Sequence, residues 1–393
     1  MSIAVARTAQ QAILRGHPWV YRAGLVRAPT DLASGAVVEL VDEQGSFLAR
    51  GLWDARSPIA VRVFEREASR RVDLSSLIDR IEHALRLRDE FFARDADTNA
   101  YRLVHGEGDR VPGLVIDRYG PVAVVRVDGD AIEAWLDRLT PPLAAMLARR
   151  GLRSVLLRVD AAPGQPRARA LHGAPPPERI VIQERGMAME VDLFHGQKTG
   201  AFLDQRDNRA RVRTMALGRK RVLNLFSYAG GFSIAAALGG AERVTSVDLA
   251  SAAHATAQRS FRENGIDPGN HAFVTADAMA FLDAARARGD RFDLIVSDPP
   301  SFAPNERSVE RAITAYRKLH GAVVQVLAER GIFCASSCSS HISTEAFLGT
   351  LDDRALGAGA HKLRLCELYG QPEDHPTLPA WPEGRYLKFA VLR

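Results

Sequence analysis

Cys338 ends an apolar run, Gly331-Ile332-Phe333-Cys334-Ala335-Ser336, and opens a serine-rich turn, Ser337-Cys338-Ser339-Ser340-His341. A thiol at that point can act as a nucleophile, and its thiolate is the reactive form. A second apolar run, Phe292–Ser297, ends in Asp298-Pro299-Pro300-Ser301-Phe302. Two prolines behind an acid make a stiff loop with no N–H to spare, which fixes the carboxylate. Of the other two cysteines, Cys334 lies inside a strand pattern and Cys366 in Leu365-Cys366-Glu367-Leu368. Both read as core residues, because free cysteine is among the most buried side chains. Three cysteines in a chain of 393 residues form neither a disulfide framework nor a zinc-site spacing.

Three further features recur at the ends of apolar runs. The first is the turn Asn224-Leu225-Phe226-Ser227-Tyr228-Ala229-Gly230-Gly231-Phe232, whose glycines let backbone pass close under a ligand and start a helix tightly. The second is Asp248, closing Arg243–Asp248, where a carboxylate can accept both hydroxyls of a ribose. The third is Asp277, after Ala272–Thr275, placed to meet an adenine amino group. Taken singly, the glycines also suit a ligand-free turn and both acids suit helix caps. At three successive strand ends they point to an adenosine-containing cofactor. S-adenosylmethionine gives the thiol a use. Carbon 5 of cytosine is too poor a nucleophile for a sulfonium methyl until a thiolate adds at carbon 6. Asp298 would then hold the N3/N4 edge of the base, and His341 could assist proton transfer or simply be a surface residue.

The elements that must carry these residues can be read from periodicity. From residue 187 onward, helix and strand patterns alternate with short connections. A helix over 202–216 precedes strands at 222–226, 243–248, 272–275, 292–297 and 331–336. Helices at 231–237, 252–264, 278–288 and 309–328 lie between them, which predicts a doubly wound α/β sheet. The first seventy residues read as a small all-β module, with strands at 36–41, 46–51 and 59–64. A helix over 74–94 follows. A mixed middle section has strands at 113–117, 122–127, 154–159 and 180–183 and a helix over 131–150. The Pro-, Gly- and Arg-rich stretch 161–177 reads as an exposed loop or hairpin tip. The expected domains are thus 1–70, 71–186 and 187–393.

Hydrophobic residues make up 46% and charged residues 25%, the mix of a soluble globular protein. There is neither an eighteen-residue apolar stretch nor a signal-peptide pattern, so no membrane partner and a cytoplasmic location are expected. No metal site is expected. The net charge of +5 is compatible with a polyanionic partner. Residues 206–221 hold seven Lys or Arg against one Asp, which suits either a solvated helix face or a phosphate-binding rim.

At this point the chain resembles the PUA-domain-containing class I methyltransferases that form 5-methylcytosine in bacterial large-subunit ribosomal RNA. The likeness spans nearly the whole sequence. Gly16-His17-Pro18-Trp19-Val20-Tyr21 and Ala49-Arg50-Gly51 match the PUA module. Tyr101–Asp109 and Pro112–Tyr119 match the central domain. Gly196-Gln197-Lys198-Thr199-Gly200, Phe202-Leu203-Asp204-Gln205-Arg206 and Asn208-Arg209 match a signature ahead of the catalytic sheet. Phe226–Phe232, Asp298-Pro299-Pro300 and Ser337-Cys338-Ser339 match the cofactor, base and nucleophile motifs. Asp374-His375-Pro376 and Pro382–Lys388 fit near the end.

The resemblance implies an N-terminal PUA β-barrel, a central α+β domain and a C-terminal Rossmann-like methyltransferase sheet. It implies catalysis by Cys338 with Asp298. The cofactor would lie on Phe226, Ser227, Tyr228, Ala229, Gly230, Asp248, Asp277, Asp298, Gln205 and Arg206. The RNA, 23S ribosomal RNA or a large-subunit precursor, would meet Pro299, Pro300, Phe302, Lys198 and Arg209. Exposed edges of a PUA-like module also permit a homodimer. Ser301 stands where the family carries a basic residue, and no second cysteine follows the prolines. Two other readings stay open: N-methylation of guanine or adenine, which needs no thiol, and a non-catalytic RNA-binding assembly factor. A nicotinamide oxidoreductase would leave Asp298 and Cys338 without roles.

Overall fold

The computed structural model describes residues 1–162, 165–303, 305–357 and 363–393. Contacts divide the chain into two compact units. One comprises Met1–Ile182, Asp192–Leu203 and Glu373–Gly384; the other comprises Gln183–Val191, Asp204–Pro372 and Arg385–Arg393.

The first unit opens with β1 (Ser2–Ala4), α1 (Arg7–Arg15), β2 (Trp19–Tyr21), β3 (Val37–Val41), β4 (Phe47–Trp53) and β5 (Ile59–Glu65). These strands form one sheet in the order β1-β3-β4-β5-β2. The all-β expectation is corrected by α1. It is a nine-residue helix of which only Ile13 is buried. Gly16 ends it at φ 102, donating to Ala12 and Ile13. The helix α2 (Leu74–Phe91) follows, capped by a reciprocal Asp73–Ser76 box. The next elements are β6 (Ala100–His105), β7 (Leu114–Tyr119), β8 (Val122–Val127), α3 (Asp130–Glu133), α4 (Leu136–Ala148), β9 (Ser154–Arg158) and β10 (Ala168–His172). The second sheet runs β10-β9-β8-β7-β6. The stretch 161–177, expected as a loop or hairpin tip, carries β10, antiparallel to β9 as in a hairpin; Pro163 and Gly164 lie outside the described residues. Pairing with β9 supplies the order that its composition does not.

A two-stranded hairpin, β11 (Arg179–Glu184) and β12 (Met187–Asp192), leads on. Then come α5 (Arg206–Met215), β13 (Arg221–Leu225), α6 (Gly231–Leu238), β14 (Arg243–Asp248), α7 (Ser251–Glu263), β15 (Ala272–Thr275) and α8 (Ala278–Ala287). The series ends with β16 (Phe292–Ser297), α9 (Val309–Val326), β17 (Leu327–Ser337), α10 (Thr344–Leu348), α11 (Asp353–Leu356), β18 (Leu365–Tyr369) and β19 (Lys388–Leu392). The seven-stranded sheet runs β15-β14-β13-β16-β17-β19-β18. Its first five strands are parallel and β19 is antiparallel to both neighbours. Strand order reverses between β13 and β16, the switch point at which open α/β sheets bind ligands beyond their carboxyl ends. The doubly wound sheet is therefore as expected. Cys334 is buried inside β17, and its burial pushes the thiol far up. Cys366 is exposed, contrary to expectation, because β18 is the sheet's edge.

Two buried polar groups set sensitivities of the fold. Arg88 of α2 is fully buried and forks onto Asp109 with two 2.7 Å bonds. It also donates to the Arg102 and Asp374 carbonyls. Arg88→Met leaves Asp109 buried and unpaired, and should cost about 3–5 kcal/mol, read as an earlier urea transition. His320 of α9 is buried beside Thr350, and burial pushes its pKa from 6.5 down to about 4. The unfolded chain therefore binds this proton first as pH falls. Stability is lost from about pH 6.5 toward 4, by up to about 1.4 kcal/mol per pH unit. Urea midpoints at pH 7 and 5 should converge in His320→Phe relative to the parent chain.

Candidate active site

The candidate site lies at the carboxyl ends of β13, β14, β16 and β17. The turn after β13 is strained: Phe226 and Tyr228 both adopt left-handed backbone, at φ 57 and 46. Asp248 at the end of β14 holds it. Its Oδ2 accepts from Tyr228 N at 2.8 Å and its Oδ1 from Ala250 N at 2.8 Å. A carboxylate has about four acceptor positions, so two remain for ligand hydroxyls. Gly230 (φ 80) begins α6, and a Cβ there would stand 2.7 Å from the Ala257 Cβ. Asp277 is exposed and caps α8, accepting from Met279 N and Ala280 N through Oδ1.

Asp298, half-buried after β16, accepts from Gln205 Nε2 at 3.0 Å. The same nitrogen reaches Ser336 Oγ at 3.1 Å, and Asn208 Nδ2 donates to Gln205 Oε1 at 2.7 Å. Gln205, only 2% exposed, thus bridges the ends of β16 and β17. Cys338 is half-buried one residue beyond β17. Tyr316 of α9 donates to Ser337 Oγ at 3.0 Å. Burial pushes the Tyr316 hydroxyl up, and negative charge at Cys338 and Asp298 pushes it further. Ser301 and Ser339 link the two loops: Ser301 Oγ donates to Ser339 Oγ at 3.2 Å, which donates to the Ala303 carbonyl.

A strained glycine turn, an acid with acceptor capacity left and a thiol beside a second acid sit at adjacent ends of one parallel sheet. A model of S-adenosylmethionine-dependent methyltransferases matches residues 128–381. The chain belongs to that family. A PUA-like domain matches residues 3–66. Ribosomal RNA large subunit methyltransferase I of Aeromonas salmonicida is 36% identical over 98% of this chain and 97% of its own. The enzyme of the same name from Escherichia coli (strain K12) is 34% identical over 100% and 98%. Among solved structures, a putative methyltransferase complexed with SAH is similar, with TM-score 0.88, 26% identity and 100% and 99% coverage. A putative SAM-dependent methyltransferase from Streptococcus mutans has TM-score 0.86 at the same identity and coverage.

The family's cofactor is S-adenosylmethionine, and the turn fits such a group. Ser227 Oγ and Asn224 Oδ1 are buried there without a protein partner, as is Ser297 Oγ one residue before Asp298. Buried polar atoms left unpaired are costly unless a ligand or water meets them. No helix among the described residues is long and apolar enough to cross a membrane.

The structure places the other expected residues in different surroundings. Arg209, expected to meet RNA, is 5% exposed and forks onto Glu184 at 2.7 and 2.5 Å. Its stem lies under Gly231, where a Cβ would come within 2.9 Å of the arginine Cδ. A buried carboxylate with matching fork geometry holds this guanidinium inside the unit. Arg206 is buried too. Lys198 belongs to the other unit, half-buried at φ 49, with Nζ 4.4 Å from the Phe202 ring centroid. Pro299 is buried, Pro300 exposed, and Phe302 packs on Tyr316 at 4.9 Å between centroids. His341 is exposed in its loop. Tyr316, Lys388, Ser301 and Ser339 were missed as site residues. So was Leu249, which directly follows Asp248 and is 71% exposed. Only Leu249 carried a local signal, an apolar residue beside a strand-end acid.

Gly230→Ala should cost about 1–3 kcal/mol, because alanine is strained at φ 80 and meets Ala257. Calorimetry should also show weakened S-adenosylhomocysteine binding in the fraction that folds.

Proposed function

We propose that this chain methylates carbon 5 of a cytosine in 23S ribosomal RNA, with Cys338 as the nucleophile. The observation that carries the reading is that Asp298 and Cys338 each follow the end of one of two paired parallel strands, β16 and β17, whose ends are joined by Gln205 between Asp298 and Ser336 and by the Ser301–Ser339 hydrogen bond. An exocyclic amine acceptor would need the acid but not the thiol. The names of the full-length relatives support ribosomal RNA as substrate, and the PUA-like segment supports RNA binding.

In this reading Phe226, Ser227, Tyr228, Ala229 and Gly230 cradle the cofactor. Asp248 accepts its ribose hydroxyls, Asp277 faces the adenine amino group through the oxygen not used in capping, and Leu249 offers the ring an apolar face. S-adenosylmethionine, when bound, supplies an electrophilic methyl to carbon 5. The Cys338 thiolate forms a bond to carbon 6 of the cytosine, which makes carbon 5 electron-rich. Asp298, steadied by Gln205, accepts from the N4 amine and from N3 once N3 has taken a proton from solvent; it holds that proton in place, the charge on N3 draws density from carbon 6, and N3 gives the proton back when the adduct breaks down. After methylation a base takes the carbon 5 proton. The pair from that C–H bond reforms the 5,6 double bond, and the C6–S bond breaks to return the thiolate.

Arg219, Lys220 and Arg221 lie before or at the amino end of β13, the sheet edge opposite the site, and Arg221 pairs with Asp290 at 2.9 Å, so the basic run 206–221 is not assigned to the RNA path. Pro300 and Phe302 flank the base. The target must leave any stack it occupies before the thiol can reach it. We assign 1–70 to the PUA-like domain, 71–186 to a central α+β domain and 187–393 to the methyltransferase domain, acting in the cytoplasm where ribosomal RNA is made.

Cys338→Ala should lose methyl transfer by at least about a thousandfold. RNA carrying 5-fluorocytosine at the target should stay covalently attached to the parent chain, since fluorine cannot leave as a proton does. Nucleoside mass spectrometry of 23S ribosomal RNA, with and without this gene, should show one 5-methylcytosine gained. Full activity in Cys338→Ala would overturn the nucleophile.

A further inference from the structure

Lys388, at the start of β19, is only 2% exposed and forms no ion pair with a carboxylate among the described residues. Its Nζ donates to three backbone carbonyls: Ser339 at 2.6 Å, Ile342 at 2.7 Å and Tyr386 at 2.8 Å. Two of these belong to the turn that follows Cys338, and Lys388 pairs directly with Ser337 across the antiparallel β17–β19 ladder. A buried ammonium without a counter-charge is costly. Here burial pushes Lys388 down to about 8, and negative charge at Cys338 pulls it back up.

We propose that Lys388 is a positioning residue for Cys338: it pins the turn behind the cysteine through three carbonyls and favours the thiolate by its charge. The proposal rests on the reading of Cys338 as the nucleophile. The hydrogen bonds also settle what Lys388 does not do. An ammonium has three N–H groups, and three carbonyls use all of them. No lone pair is left to take the carbon 5 proton. A neutral amine would abandon one carbonyl, so the bonding favours the charged form. Attraction between an ammonium and a thiolate is mutual, and it lowers the thiol's affinity for its proton.

The other titratable groups at this corner oppose a thiolate or leave it alone. Asp298 is a negative charge just past the end of β16. Tyr316 stays protonated and donates to Ser337. Tyr386 is a phenol bonded to Asp204 at 2.8 Å. His341 is exposed in the same turn. Lys388 is therefore a buried cation at this corner that offsets Asp298 for the cysteine.

The test is the pH dependence of iodoacetamide alkylation at each cysteine, read by peptide mass spectrometry on the full chain without RNA. Exposed Cys366 is the internal reference, and buried Cys334 reports unfolding by becoming labelled. In the parent chain Cys338 should reach half its maximal rate at least about one pH unit below Cys366. Lys388→Met should raise that midpoint by about one unit, a loss of about tenfold in rate at pH 7, with Cys366 unchanged. Lys388→Arg should restore most of it. If Cys338 titrates with or above Cys366 in the parent chain, the proposal is overturned, whether or not Lys388→Met folds. It is also overturned if folded Lys388→Met leaves the midpoint in place. The readout needs no turnover, so an active Cys338→Ala enzyme would sink the nucleophile reading separately.

Discussion

The parallel pairing of β14, β13, β16 and β17 is the constraint on which the site depends. Parallel strands end on the same edge of a sheet, so residues far apart in the chain are delivered to one place. Asn224 pairs with Ser246 on one side and Val296 on the other, and Val296 pairs with Cys334. That register leaves Asp248 as the last residue of its strand and Ser227, Asp298 and Cys338 each just past a strand end. A helix after nearly every strand covers both faces, and the side chains at the switch point face outward from the edge, where a ligand can reach them.

Register alone does not aim a side chain. Buried hydrogen bonds do that here. Gln205 ties Asp298 to the Ser336 hydroxyl, and Asn208 fixes which end of the Gln205 amide points at the acid. Arg209 holds Glu184 and supports Gly231 from beneath. Lys388 pins the turn after Cys338. None of these residues needs to touch a substrate to matter. Each is buried, so its polar atoms must be paired, and the pairing fixes the groups that face the crevice. Within the signature Phe202–Arg209, Gln205 and Arg209 support the site from within.

The parts of the site legible in the sequence were those with a local physical cause. Strand-end acids follow β-branched runs, glycines mark a turn, and two prolines after Asp298 mark a stiff loop. The alternating pattern from 187 onward gave strands β14, β15 and β16 to the residue, because apolar runs bounded by turns have clear limits. Elements held by tertiary pairing were not legible. The helix α1 buries only one side chain, and β10 is ordered by its neighbour β9. Cys366 looked like a core residue because its neighbours are apolar, yet it lies on an edge strand with one side open.

The same division holds for function. Residue type and spacing alone determined that a glycine turn, two strand-end acids and a thiol behind a proline-stiffened acid lie in one α/β sheet. Those are properties of short segments, set by backbone preference and side-chain chemistry. Only the tertiary structure decided that Arg209 is buried against Glu184, that Gln205 steadies Asp298, and that Lys388 stands behind Cys338. A charge in a sequence carries no mark of whether water or a buried partner will meet it. That choice is made when segments distant in the chain pack and the dielectric around each group is set.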